Sequence, residues 1–89
     1  MKYVIFYESA EGFLEKVPDH LEAHRARWAE YAEAGTLLMI GPFSDPARGA
    51  MGVFTTEEAA RSFVEGDPFV VHGLVAAWRI EEWMEVLFP

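Results

Sequence analysis

The chain has 89 residues, the size of one domain built around one core. Seven basic against fifteen acidic residues give a net charge of −8. That balance argues against nucleic acid and against an anionic membrane surface, both of which select for Lys and Arg. With no cysteine there are no disulfides, thiol nucleophiles or thiolate metal sites.

Hydrophobic residues make up 52% of the chain and aromatic residues 15%, more apolar surface than so short a chain readily buries alone. Some of it is therefore expected to face a second copy. The apolar stretches are too short to span a bilayer, and Met1-Lys2 leads straight into an apolar run with no signal-peptide cleavage pattern, so a cytoplasmic protein is the expectation. Neither Asn nor Gln occurs, a depletion of heat-labile amides that points to a thermophilic source.

Lys2 to Tyr7 is a β-branched and aromatic run of strand length, expected as a central strand buried on both faces. Glu8 to Lys16 is polar and Gly-containing, which predicts a loop. A helix is expected to start at Pro18-Asp19, with Asp19 as cap and Glu22 completing a capping box. Leu21, His24, Trp28, Tyr31 and Gly35 fall at steps of three and four, one stripe of that helix, and Gly35 suits the position just past its end.

Thr36 to Ile40 predicts a second strand, closed by Gly41-Pro42, and Phe43 to Gly49 has turn chemistry. A third strand is expected over Ala50 to Phe54, with Gly52 at a bulge or a close approach. Thr55 and Glu58 repeat the capping-box spacing, and Ala59, Ala60, Phe63 and Val64 form the stripe of a second helix that Gly66-Asp67-Pro68 stops. Val70 to Ile80 reads as a long fourth strand bent at Gly73, and Trp83 to Phe88 as an edge strand or dimer arm.

The order β-α-β-β-α-β predicts an α+β ferredoxin-like fold with both helices on one face of the sheet. The first strand is apolar on both faces, with Tyr3, Ile5 and Tyr7 on one and Val4 and Phe6 on the other. An uncovered apolar face predicts a homodimer paired sheet to sheet. The same topology brings Tyr7, His24, Gly41-Pro42 and Asp67-Pro68 to one rim, where pairing would help wall in a pocket.

At that rim His24 sits on the apolar stripe rather than on the solvent face. Near a helix N-terminus the dipole favours its neutral form, which can act as a general base, with Asp67 orienting the ring. Spacing and topology alone favour a core histidine and an aspartate that merely ends a helix. His20 lies one turn before His24, a spacing that can share a metal. No third ligand stands at a telling spacing and no HExxH pattern occurs, so no metal and no other cofactor is expected. Ser44-Asp45 lies within reach of the rim, although turn formation explains both residues. His72 is expected as a structural or interface residue. There is no phosphate-cradling Gly-rich loop and no GxSxG elbow.

Several of these features together resemble the YciI-like (YCII) family: the opening Tyr3 to Tyr7 strand; His24 followed by Gly35, Leu37-Leu38 and Gly41-Pro42; Asp67-Pro68-Phe69 closing the second helix; then Gly73 and the aromatic tail around Trp83. The resemblance covers essentially the whole chain. It implies a dimeric α+β barrel with a pocket in each subunit, and it places the family's proposed catalytic pair on His24 and Asp67. One member of that family is a dehydrochlorinase of a chlorinated hydroxyquinol-type compound, and the fold is shared with muconolactone isomerases. An arginine often stands three residues before the family histidine; here that position is Leu21, leaving Arg25 or Arg48 as substitutes.

Two functions follow as expectations. One is cofactor-independent acid–base chemistry, an elimination or isomerisation, on a small organic molecule. His24 and Asp67 would carry the proton, and Tyr7, Gly41, Pro42, Ser44 and Phe69 would contact the substrate. The alternative is a non-catalytic dimeric module that binds a small ligand or partner protein in the same pocket.

Overall fold

The computed structural model describes residues 1–89 and gives the order β1 (Lys2–Ser9), α1 (Phe13–Glu33), β2 (Leu37–Pro42), β3 (Ala50–Phe54), α2 (Glu57–Gly66), α3 (Pro68–Val71) and β4 (Val75–Trp83). The strands form one sheet in the order β2-β3-β1-β4, every neighbouring pair antiparallel. This is the expected α+β βαββαβ arrangement, with β1 at the centre.

Alternation along β1 sends Ile5 and Tyr7 towards the helices, where they join Leu37, Phe54, Ala60, Phe63 and Val64 in the buried core. Val4 and Phe6 point to the opposite face, level with Val53 and Met51 of β3 and with Glu81 and Arg79 of β4. That face is less apolar than β1 alone suggested. Val4 and Val53 are buried, Arg79 lies 4.3 Å over the Phe6 ring, and Arg79 pairs with Glu81 at 2.9 Å. No helix of the chain is long and apolar enough to cross a membrane.

Four elements differ from the sequence expectation. Pro18 does not open α1 but lies inside it, more than a turn past its start at Phe13, and Asp19 is an exposed mid-helix residue rather than a cap. Phe13 and Val17 extend the apolar stripe towards the N-terminus, and Phe13 packs edge-on against Phe69 with ring centroids 5.8 Å apart. That packing offsets the missing proline hydrogen bond. Thr56, not Thr55, caps α2, its hydroxyl accepting from the Ala59 amide at 3.1 Å, so Glu58 completes no capping box.

Val70 and Val71 read as strand residues by propensity but belong to α3. The Asp67 side chain caps that turn and Pro68 supplies its first residue, so local capping outweighs β-branching. Beyond Trp83 the tail forms no strand; Glu85 fixes it to the start of the chain through the N-terminal amine at 2.8 Å and Lys2 at 2.7 Å.

None of the 21 residues of α1 is fully buried. The helix is held chiefly from the side, by α3 near its start and by the end of α2 further on. Arg27 donates to the carbonyls of Ser62 at 2.8 Å and Phe63 at 3.1 Å, and the Tyr31 and Ser62 hydroxyls bond at 2.7 Å. Lateral anchoring leaves space between the helix and the sheet.

Candidate functional site

That space is a cleft of about 790 Å³. One wall is α1, through residues such as Leu14, Val17, Leu21 and Trp28; the other is the sheet, through Ile5, Leu37 and Ala50. Its volume lies within the usual range of small-molecule sites, about 300–1,000 Å³. Because Ile5 and Tyr7 face the helices, the cleft lies on the covered side of the sheet. Pairing through the open face would not wall it in, contrary to the expectation from topology.

Tyr7, His24, Gly41, Pro42 and Phe69 all line the cleft, whereas Ser44 is exposed and stands outside it. Ser9 instead reaches the loop after β2, donating to the Pro46 carbonyl at 2.7 Å. Behind the lining lies Asp67, fully buried, at the junction of α2 and α3. A carboxylate removed from water must be well supplied with donors. Asp67 receives them from three segments: the Tyr7 hydroxyl to Oδ2 at 2.7 Å, His24 Nδ1 to Oδ1 at 2.7 Å, and the Phe69 amide to Oδ1 at 3.2 Å.

This arrangement fixes the proton on the histidine. A carboxylate can only accept, so Nδ1 of His24 carries the hydrogen and Nε2 is the basic nitrogen of the neutral ring. The ring is further held by stacking on Phe69, with centroids 3.9 Å apart and planes 4° from parallel. Its orientation is thus set by one hydrogen bond and one flat contact. The helix-dipole argument does not apply: with α1 starting at Phe13, His24 lies about three turns in, beyond the reach of a helix-end field.

Tyr7 lines the cleft and has a second part at Asp67. Burial, followed by the negative charge of Asp67 and the hydrogen bond to it, holds its phenol far above the ordinary tyrosine range, against a smaller opposing effect of Arg27. The hydroxyl therefore stays protonated and donates to Asp67, while the aromatic ring forms part of the cleft.

His20 does not join His24. It stacks on His72 with ring centroids 4.3 Å apart, and no cluster of three or more His, Asp or Glu side chains is arranged to hold a metal ion. Arg27 was not singled out in the sequence. Its only signal was a position one turn beyond His24, between the polar and apolar sides of the helix.

The family model of the YCII-related domain matches residues 1–84. Among solved structures, 5-chloro-2-hydroxyhydroquinone dehydrochlorinase from Burkholderia phenoliruptrix AC1100, in complex with 2,5-dihydroxybenzoquinone, is similar with a TM-score of 0.78 and 28% sequence identity, over 94% of each chain. No curated protein sequence matches.

Proposed function

The chain belongs to the YCII-related domain family, and we propose that it is a cofactor-independent enzyme performing acid–base chemistry on a small organic molecule. In this reading Nε2 of His24 takes a proton from the substrate, and Asp67 holds the tautomer and stabilises the imidazolium that forms. The proton then returns, to another atom of the substrate in an isomerisation or to solvent after loss of a leaving group in an elimination. Tyr7 and Phe69 fix Asp67 and the His24 ring; Gly41 and Pro42 border the substrate. The observation that carries the reading is the 2.7 Å bond between His24 and buried Asp67 at the wall of a cleft large enough for a substrate. The similar structure, a dehydrochlorinase holding a quinone, supports elimination as the first reaction to test.

The proposal includes a cytoplasmic homodimer joined through the open face of the sheet, where Phe6 stays partly exposed. A non-catalytic binding module has one observation in its favour: Asp67 also caps α3 and anchors Tyr7, duties that need no reaction.

The two readings separate in one experiment. Chlorinated hydroquinones and small lactones are incubated with the protein and with its His24→Ala variant, and products are followed by chromatography and mass spectrometry. Turnover abolished by the substitution is the expected result. Ligands bound by both forms and recovered unchanged would establish the binding module instead.

A further inference from the structure

The walls of the cleft differ in charge from the rest of the chain. Fifteen of the residues are acidic, yet no Asp, Glu or Lys lines the cleft, and one cation, Arg25, does. Arg25 lies four residues after Leu21 and three before Trp28, spacings that put it at the edge of their side of α1, where it is exposed to solvent at the mouth of the cleft. Its charge is also uncommitted. Arg27 donates to Ser62 and Phe63, Arg61 pairs with Glu57 and Arg79 with Glu81, whereas Arg25 has no ion pair or side-chain hydrogen bond.

Apart from His24, the other polar side chains of the lining offer a ligand no free donor. The Tyr7 hydroxyl donates to Asp67 and the Ser9 hydroxyl to the Pro46 carbonyl, so neither donor is available. A sugar or a nucleotide would bury many polar groups against Phe13, Val17, Leu21 and Trp28 without partners, at a cost in free energy for each. The size also constrains the ligand. Benzene fits an apolar cavity of roughly 150 Å³, and this cleft, at about 790 Å³, has room for considerably more.

We propose that the cleft binds an amphiphilic monoanion, with one carboxylate-like head held by the Arg25 guanidinium beside His24 and an apolar body larger than one ring lying between α1 and the sheet. The proposal rests on the cleft being the reaction site, and it extends the candidate substrates of His24 from one-ring hydroquinones and lactones to larger acids. Arg25 is then the residue that determines specificity for charge, and the apolar walls determine it for size.

Calorimetric titration of the full chain at low ionic strength tests this with three probes: phenylhexanoate, its neutral amide, and benzoate. The hexanoate is expected to bind about threefold more tightly than the amide, the scale of one ion pair at an exposed guanidinium. It is also expected to bind more tightly than benzoate, which carries the same charge on a shorter body. Arg25→Gln should remove the preference for acid over amide, and Arg25→Lys should keep part of it. Equal binding of acid and amide, a preference that survives Arg25→Gln, or no binding of any probe would overturn the proposal. The catalytic reading fails separately: His24→Gln would then leave turnover unchanged while the acid preference remained.

Discussion

Replacing Asp67 tests the centre of the site, and the bonding pattern dictates different outcomes for alanine and asparagine. Asp67→Ala leaves three donors around a dry void: the Tyr7 hydroxyl, Nδ1 of His24 and the Phe69 amide. A buried donor without an acceptor costs about 1–3 kcal/mol, so three of them give an expected loss of about 3–9 kcal/mol, much of the stability of a small domain. Asparagine fits the same space but offers one oxygen in place of two. One orientation keeps the bonds from His24 and Phe69: the amide oxygen takes the Oδ1 position and accepts from both, while the amide nitrogen faces Tyr7, whose hydroxyl turns from donor to acceptor and loses the partner of its own hydrogen.

The expected cost of Asp67→Asn is about 1–2 kcal/mol, the difference between bonds to charged and to neutral acceptors, partly offset because no charge is buried. Urea unfolding followed by tryptophan fluorescence gives both numbers. Nitrogen-15 shifts of the imidazole should show the hydrogen on Nδ1 in the wild type and in Asp67→Asn alike. Finding it on Nε2 in the wild type, or finding Asp67→Ala no more costly than Asp67→Asn, would refute the bonding scheme.

Gly49 has φ 142°, and a Cβ there would overlap the Tyr7 carbonyl oxygen, so Gly49→Ala should lower stability by about 2–4 kcal/mol in thermal or urea unfolding. A Cβ on Gly66 would run into the Arg27 guanidinium. Gly66→Ala should therefore destabilise the wild type but stabilise an Arg27→Ala background by about 0.5–1 kcal/mol, the ordinary helix preference for alanine; the same sign in both backgrounds would dismiss the contact. Hydrogen bonds from Lys2 and the N-terminal amine lower the Glu85 carboxyl from 4.5 to about 2. A depressed carboxylate stabilises the fold above its unfolded pKa, so the tail clamp should weaken as pH falls from about 4.5 towards 2 and keep its strength above that window. An NMR titration of Glu85 reads this directly, and Lys2→Ala should move the midpoint upward. Phe6→Glu places a charge on the open face of the sheet and should convert the proposed dimer to a monomer in sedimentation equilibrium; a wild type that sediments as a monomer would remove the dimer from the proposal.

The strands could be read from the sequence because period and punctuation are local signals. Ala50 to Phe54 is bounded by turn residues on both sides, and Lys2 to Tyr7 is too apolar and too short for anything but a central strand. The start of α1 could not be read this way. Gly12 precedes it without a side-chain cap, whereas Pro18-Asp19-His20-Leu21-Glu22 imitates a cap closely. The packing of Phe13 on Phe69, 56 positions later in the chain, settles the matter, and no window around residue 13 contains that information. The error then spread from structure to electrostatics, because a helix dipole acts on His24 only if the helix begins near it. The cleft was hidden for a related reason. An apolar stripe predicts that a helix faces the sheet but not how closely it approaches, and here the lateral contacts of Arg27 and Tyr31 help set the distance.

Asp67 was legible for a reason that also limits what its position says about chemistry. A buried aspartate before a proline is the local signal for ending one helix and capping the next, and Asp67 does both at the junction of α2 and α3. Capping alone would occupy one oxygen and leave the other towards solvent. Instead the second oxygen meets Tyr7 from β1, and the first accepts from His24 on α1 as well as from the Phe69 amide, joining residues 43 and 60 positions away in the sequence. A cap needs neither partner. Together they place a histidine of fixed tautomer at the wall of an apolar cleft, and it is this excess over the structural requirement that supports assigning Asp67 a part in proton transfer.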